Sequence, residues 1–566
     1  MKRTSVCFAF ASFLFSPTAA AVSIHIHGID GGLYDNVAAY LTPYGELDLD
    51  QIRPQRVQLQ VKQALQPFGY YEPNVTLSRN GETDLDIVVE PGAPVINADV
   101  DIVVSGDARE DPDIQKLLLK NTPQVGERLD HQTYDHLKSK LYSLALRKGY
   151  FDYEVKKASV KVSPERHQAF ITLHIDSGAR YRFGHTIVNN SQIEPERLLS
   201  LAGFEDGERF DSEKLSEFQA TLSSTEWFKQ VKVHPDFQST RMHPHQVDIV
   251  ADVEPAKRNQ VKVGGGFETD LGPRASLGWD LPWYNAKGHS LASLATLSRQ
   301  EQSLNLAYKM PTQDVLGDFY RVEFNAKSWD HLDTQSDTFE LSLDKTWRLN
   351  QRWQGQFYVK YLSERYTQAS LSDHSQLFLP GVAFSYLDRK SQSSRLAQRH
   401  VYAVEAASDD LLSDVSVMRV TGESMVSWSL SPKQAFHLRT NLGANLTSQI
   451  DALPASLRFF AGGDGTVRGY EYQSLSPKNE AGELTGGRYL FALGAEYQYK
   501  VWNHVWLGGF YDMGDAFDDQ FEPKHGVGLS VIWDNRYAPI KFDIAKSVGD
   551  ASQDDFRLHL KIGAQF

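Results

Sequence analysis

Tyr489-Leu490-Phe491-Ala492-Leu493-Gly494-Ala495-Glu496-Tyr497-Gln498-Tyr499-Lys500-Val501 decides how the second half of this chain folds. Tyr489, Phe491, Leu493, Ala495, Tyr497, Tyr499 and Val501 fall on one face, and Gly494, Glu496, Gln498 and Lys500 on the other. A side-chain period of two defines a strand, and an apolar face backed by a polar one suits a strand between lipid and a wet interior. Tyr320, Val322, Phe324 and Ala326 alternate in the same way with Arg321, Glu323, Asn325 and Lys327. From Val261 onward 16 candidate strands can be marked, an even number as expected of a bacterial barrel. Trp279, Trp283, Tyr284, Trp329 and Trp347 fall near strand ends, where an interfacial aromatic belt would place them. A soluble β-sandwich has no need of so many long strands with aromatic ends.

The two ends of this barrel must pair with each other. In the last strand Phe556, Leu558, Leu560, Ile562, Ala564 and Phe566 alternate with Asp555, Arg557, His559, Lys561, Gly563 and Gln565. The first, Val261 to Thr269, contains Gly264, Gly265 and Gly266, which leave little side chain to pack and weaken a strand. The seam is therefore expected to be the weakest join, with a residue near Gly265 opposite one near Leu560. Such strands could part and offer their edges to an incoming strand, and a short seam could thin the bilayer beside it.

One loop does not read as a solvent-facing turn. Val467-Arg468-Gly469-Tyr470 follows Phe460-Ala461-Gly462-Gly463-Asp464-Gly465-Thr466. An arginine between glycines and an aromatic suggests a segment that folds back into the lumen and docks there. Buried, Arg468 needs an acidic partner, because an isolated buried charge is costly.

The start of the chain reads differently. Lys2 and Arg3, an apolar run from Ser5 to Phe15 and Pro17-Thr18-Ala19-Ala20-Ala21 form a secretory signal over residues 1–21, cut after Ala20 or Ala21. The only cysteine, Cys7, lies in it, which excludes disulfides and thiolate catalysis from the mature chain. Removing Lys2 and Arg3 takes the formal charge from −14 to −16. That balance argues against a nucleic-acid partner. No later segment approaches a spanning apolar helix.

Between the signal and the barrel a frame repeats. Gly126-Glu127-Arg128-Leu129-Asp130 matches Gly207-Glu208-Arg209-Phe210-Asp211, and Gly45-Glu46-Leu47-Asp48 is a weaker copy, each glycine 81 residues from the next. Each frame leads into an apolar pattern of helical period: Val57, Val61, Ala64 and Leu65, then Leu137, Leu141 and Leu144, then Leu215, Phe218 and Leu222. Asp130 and Asp211 are expected helix N-caps. Each helix ends at an aromatic pair, Tyr70-Tyr71, Tyr150-Phe151 and Trp227-Phe228, the first two preceded by C-cap glycines, Gly69 and Gly149. Strands follow, so each unit reads strand, two helices, two strands. Three tandem α+β modules are expected at 22–96, 97–179 and 180–260, before a barrel at 261–566.

Catalytic and metal motifs are weak. His25-x-His27 and His243-x-His245 have no evident third ligand. Asp512, Asp515, Asp518 and Asp519 miss the spacing of a calcium loop, and Gly463, Gly465 and Gly469 miss a dinucleotide fingerprint. No G-x-S-x-G or P-loop occurs. No enzyme, cofactor or metal is expected.

The modules resemble POTRA domains, and with the barrel and Val467-Arg468-Gly469-Tyr470 the whole mature chain resembles the TamA family, relatives of the BamA insertases. Thr269-Asp270-Leu271-Gly272-Pro273-Arg274, Pro282-Trp283 and Gly288-His289-Ser290 are similar to that family as well. Phe510-Tyr511-Asp512-Met513-Gly514 resembles its F-x-D-x-G strand, and Pro539 to Ala545 its penultimate strand, whereas Trp533-Asp534-Asn535-Arg536-Tyr537 departs from the usual serine-proline turn. Three modules favour this family over BamA proteins, which carry more, and two-partner secretion transporters, which carry fewer. The resemblance implies tandem POTRA modules followed by a 16-stranded antiparallel transmembrane β-barrel, in the outer membrane with the modules in the periplasm. It places the acidic partner of Arg468 on the neighbouring wall: Asp512 first, beside Phe510 and Gly514, and Glu496 second. It implies an assembly factor that inserts or translocates proteins such as autotransporters, with Gly264, Gly265, Gly266, Leu558, Leu560, Ile562 and Phe566 forming a lateral seam. The implied partners are outer-membrane client strands, the lipid bilayer, and a periplasm-spanning TamB-like protein docked on the first POTRA module. A polypeptide secretion transporter, a lipid-transport component and a passive porin are the competing readings.

Overall fold

The structure is a computed structural model that describes residues 22–563 except 82, 239–242, 313, 389–394, 536–538 and 550–555. The expected signal segment 1–21, Arg536 and Tyr537 in the turn, and Ala564, Gln565 and Phe566 at the terminus lie outside the described residues. The described chain forms two compact units. One contains the residues up to Ile187 with Phe204–Ser216 and His234–Ile249; the other contains Val188–Gly203, Glu217–Val233 and everything from Val250 onward.

Three small three-stranded sheets precede the barrel, each with its last strand in the centre. In the first, Ser23–His27 runs parallel to Asp84–Glu90, which pairs antiparallel with Asn74–Asn80. Ile96–Ser105, Gln168–Asp176 and Glu154–Ser163 repeat that arrangement. The central strands alternate cleanly because only one face meets the helices: Leu85, Ile87 and Val89, then Ala169, Ile171, Leu173 and Ile175, are buried. Val57, Val61, Ala64 and Leu65 cover the first sheet, and Leu137, Leu141 and Leu144 belong to the second core. Asp130 accepts a hydrogen bond from Gln132 N (2.9 Å) and Asp211 from Glu213 N (2.9 Å), the local contacts of helix caps.

The repeated frame also makes the joints between modules. Val95 N donates to Gly69 O (2.8 Å), and Leu129 N donates to Val95 O (2.8 Å). One repeat later, Tyr181 N donates to Gly149 O (2.9 Å) and Phe210 N to Tyr181 O (3.0 Å). Gly149 has φ 86°, and a Cβ there would lie 2.7 Å from Phe210 Cβ. Beside this joint Asp111 is buried, accepting from Asp113 N (3.0 Å), Lys148 Nζ (3.2 Å) and Tyr150 OH (3.1 Å). In the other unit, Trp227 is buried and its Nε1 donates to Gly288 O (3.1 Å) in the turn between the second and third barrel strands, Gly272–Leu281 and Ser290–Leu297. Gly288 has φ 74°, and any Cβ on it would overlap the Trp227 ring.

The barrel is closed and antiparallel, from Gln260–Glu268 to Phe556–Ile562, with 16 strands. Outward positions such as Phe339, Leu341 and Leu343 are exposed and apolar, while Ser336, Ser342 and Asp344 on the same strand face inward and are buried. The expected aromatic belt needs two corrections. Trp329 is buried on the lumenal face, where Lys327 lies over its ring and Tyr472 of the long loop packs edge-on at 6.1 Å. Trp283 donates through Nε1 to Ala256 O (2.9 Å) and sits beneath Arg258. Nearness to a strand end does not decide the side; the period-two parity does, and it puts Trp329 with Lys327.

Burial alone raises the Asp111 pKa, but its hydrogen bonds and the Lys148 charge outweigh that and hold it below the usual carboxylate value. The contribution is therefore present above the unfolded value of about 3.9 and is lost as pH falls through the depressed folded value. Asp111→Asn is expected to lower the melting temperature at neutral pH, with the gap to wild type closing in acid, as followed by helical circular dichroism. Gly149→Ala should destabilise by more than the ~1 kcal/mol of a left-handed alanine alone, because Phe210 must also move; chemical denaturation measures it.

Candidate functional site: an arginine-pinned loop beside a short seam

The loop between strands Gln434–Leu446 and Tyr489–Trp502 enters the lumen. Val467 and Tyr470 have no exposed surface and Arg468 is 4% exposed. Arg468 makes a forked contact with Asp512: Nε donates to Oδ2 at 2.6 Å and Nη2 to Oδ1 at 2.9 Å, while the Arg468 backbone N also donates to Oδ2 at 3.2 Å. Its Nη1 donates to Glu496 Oε2 (2.7 Å) and Asp543 Oδ2 (3.3 Å). The guanidinium lies over the Phe510 ring, 3.4 Å from the centroid. Planar charge, fork and ring face are all used, a combination that lysine cannot reproduce.

The wall makes room for this contact. Glu496, Asp512 and Asp543 come from three strands, Tyr489–Trp502, Val505–Phe517 and Ile540–Val548. Gly514 stands where a Cβ would lie 2.6 Å from Phe491 O, so its strand packs closely on its neighbour. A Cβ on Gly526 would overlap the Arg468 carbonyl oxygen, and one on Gly469, at φ 96°, would lie 3.0 Å from the backbone of Lys546 and Ser547. Lys541 Nζ donates to Glu496 Oε2 (3.0 Å) and lies 3.4 Å from Asp543, and Arg439 Nη2 is 3.8 Å from Asp512. Three acids thus face three cations in a compact cluster in which the acids and Arg468 are buried, with Lys541 and Arg439 at its edge. Asp543, Lys541, Arg439 and Gly526 had no assigned role in the sequence. Parity along Ile540–Val548 could have found Asp543 and Lys541, which alternate with apolar residues; nothing local marks Gly526.

The loop is also held on the opposite wall. Buried Glu364 accepts from Ser456 N (3.0 Å), Ser456 Oγ and Ser336 Oγ (2.8 Å). Arg458 donates to Leu453 O, Thr485 O and Asp451 O, and Gln368 Nε2 to Leu484 O (2.7 Å). Leu453 and Leu457 pack with Leu362, Leu377, Leu379, Val415 and Val417. The loop therefore reaches across the lumen, held near both of its ends on this wall and at its middle, through Arg468, on the other.

The seam is short. Gln260–Glu268 pairs with the second strand at nine positions, and Phe556–Ile562 pairs with the penultimate strand at seven. Among the described residues, first and last strands share only two register pairs, Phe267 with Ile562 and Glu268 with Lys561. Thr269 N donates to Leu560 O (3.1 Å), and Leu560 N to Thr269 Oγ1 (2.7 Å). Leu560 therefore stands opposite Thr269, not near Gly265, because the strands overlap only at their ends. Gly264 and Gly265 pair with Ser276 and Ala275 of the second strand. A Cβ on Gly266 would lie 2.6 Å from Ile562 O, so this glycine permits the crossing. Leu558 is exposed outward with Phe556.

The inward face of the last strand joins loop and first strand. Arg557 Nη2 lies 3.7 Å from Glu471 of the loop, and Lys561 Nζ 3.1 Å from Glu268 of the first strand. Between them His559 Nδ1 lies 2.8 Å from Asp464 and 3.6 Å from Asp270. Ligand-type atoms of Asp270, Asp464 and His559 lie within 4.8 Å of one another. The Gly469 N–H donates to His559 Nε2 (3.3 Å), however, which leaves the neutral ring's proton on Nδ1, the atom a cation would need.

Arg468→Ala should destabilise the barrel by about 3–5 kcal/mol, because it strands buried carboxylates, and Arg468→Lys should fall between. Gly526→Ala should also loosen the loop without changing any charge. Thermal unfolding in detergent and proteolysis of the loop provide the readouts; wild-type behaviour of Arg468→Ala would remove the loop's proposed anchor.

Comparison with known proteins agrees with this architecture. A profile described as the Omp85 superfamily domain matches residues 284–566. A POTRA profile described as TamA domain 1 matches 23–91, and a POTRA profile described as a surface antigen variable number repeat matches 100–178. The outer membrane protein assembly factor BamA of Nitratidesulfovibrio vulgaris (strain Hildenborough) is 22% identical over 455 residues, covering 73% of this chain and 54% of its own. The chain thus spans about half the length of that curated relative. BamA from Haemophilus ducreyi lacking POTRA domains 1-3 superposes with a TM-score of 0.69 at 15% identity, over 83% of this chain and 100% of that one, a likeness of fold. The barrel spans the outer membrane and its POTRA modules face the periplasm. The chain belongs to the Omp85 superfamily, in its POTRA-bearing form.

Proposed function

We propose that this protein is an outer-membrane assembly factor of the TamA type, which helps proteins such as autotransporters to insert or cross by opening its barrel at the seam. The observation that carries this reading is the seam itself: two register pairs where neighbouring strand pairs have seven and nine. An opened seam exposes the first strand's edge, a template for an incoming strand. The reading involves no covalent chemistry. Val467 to Tyr470 keep the lumen occupied in the resting state, with Arg468 as the anchor on Asp512 and Glu496. Passage of a polypeptide or ions through the lumen would require the loop to leave both anchored walls, so secretion and pore readings are less economical. The match of residues 23–91 to a TamA first-domain profile supports the TamA assignment and, with it, a TamB-like partner on the first POTRA module. The outer strands of that sheet, Ser23–His27 and Asn74–Asn80, offer the docking edges.

Phe267→Cys with Ile562→Cys would place a disulfide across the seam in a chain whose only native cysteine, Cys7, lies in the expected signal. The oxidised protein is expected to lose client assembly in proteoliposomes and regain it on reduction. Full activity with the seam closed would exclude lateral opening.

A further inference from the structure

The lipid-facing side of the seam, with Val263, Phe267 and Leu558, is apolar and exposed. Any barrel strand offers the same kind of face, so this side cannot tell one client from another. The lumenal side can. Glu268 and Asp270, two residues apart at the end of the first strand, are 15% and 12% exposed in their side chains, and face Lys561 and His559 of the last strand. When the last strand moves away, the partners left among the described residues are Arg274 for Glu268, at 3.5 Å, and the Asp464 amide for Asp270, at 3.0 Å. Two carboxylates that are shielded from water in the closed seam then lack the cationic groups that faced them there.

We propose that Glu268 and Asp270 select incoming strands by charge, taking those whose lumen-facing residues carry an imidazole or basic group at the two alternate positions held by His559 and Lys561. The protein's own last strand is the resident example of that ligand class. Backbone pairing with the first strand supplies affinity for any strand. The two acids set the register, because a slip by one residue turns the basic face toward lipid. Strands with acidic residues at those positions meet like charge across the pair and are rejected. The selectivity rests on the seam being the entry point for clients.

The test uses the full chain in detergent with a photocrosslinking residue in place of Thr269, which stands opposite Leu560. One peptide carries the sequence of Phe556–Gly563; a second carries His559→Glu and Lys561→Glu. The first is expected to crosslink at least about tenfold more efficiently, the scale of like-charge rejection across a strand pair. The Glu268→Lys, Asp270→Lys protein should reverse that order. Equal crosslinking of both peptides, or the same order in the charge-reversed protein, overturns the charge selection while leaving lateral opening intact. Absence of crosslinking by either peptide, matching the protein whose seam is closed by disulfide, overturns both.

Discussion

A guanidinium buried among carboxylates sets the working arrangement of this barrel. Alone in the lumen, Arg468 would be too costly to keep charged and out of water. It is tolerated because Asp512 receives it as a fork, Glu496 and Asp543 share its remaining donors, and Phe510 offers its ring face. Lys541 and Arg439 then balance the surplus acids. Such a cluster is stable only when complete, so the loop has one low-energy seat and several neighbouring strands are tied to it. Gly469 and Gly526 belong to the same constraint, since the arginine's fork reaches Asp512 only if the loop backbone approaches the wall.

The loop in turn bears on the seam. The last strand's inward side chains reach the loop at Glu471 and Asp464 and the first strand at Asp270 and Glu268. His559 touches both, and also accepts from Gly469, next to the pinned arginine. Displacing the loop and parting the seam therefore break overlapping sets of contacts. A seam this short would otherwise be a nearly free edge. Charged contacts on its lumenal side compensate for the ladder hydrogen bonds it lacks, and they are easier to exchange for an equivalent partner than a full ladder is.

The modules show another use of one local device. The repeated frame starts a helix through its aspartate and joins two modules through the residue before it, Leu129 or Phe210. The glycine that ends each helix, Gly69 or Gly149, lets the next module approach. At Trp227 the corresponding position contacts Gly288 of the barrel instead.

Much of this was legible in the residues. Strand alternation, the 16-strand count, the 81-residue frame, the helix caps and the candidate pairing of Arg468 with Asp512 and Glu496 rest on periodicity, local hydrogen bonding and family resemblance, all of which are written in short stretches of chain. The remainder depends on which distant strands become neighbours. Asp543 joins Arg468, Trp329 turns inward to meet Tyr472, Glu364 holds Ser456, and Leu560 stands opposite Thr269 rather than Gly265. A period of two fixes which face a side chain occupies but is blind to how far one strand slides along another. That offset is decided only when the barrel closes, by the stagger of all its strands together. The sequence alone therefore determined that this chain is a set of modules and a barrel with a docked arginine loop; tertiary structure decided where the seam overlaps and which charges meet there.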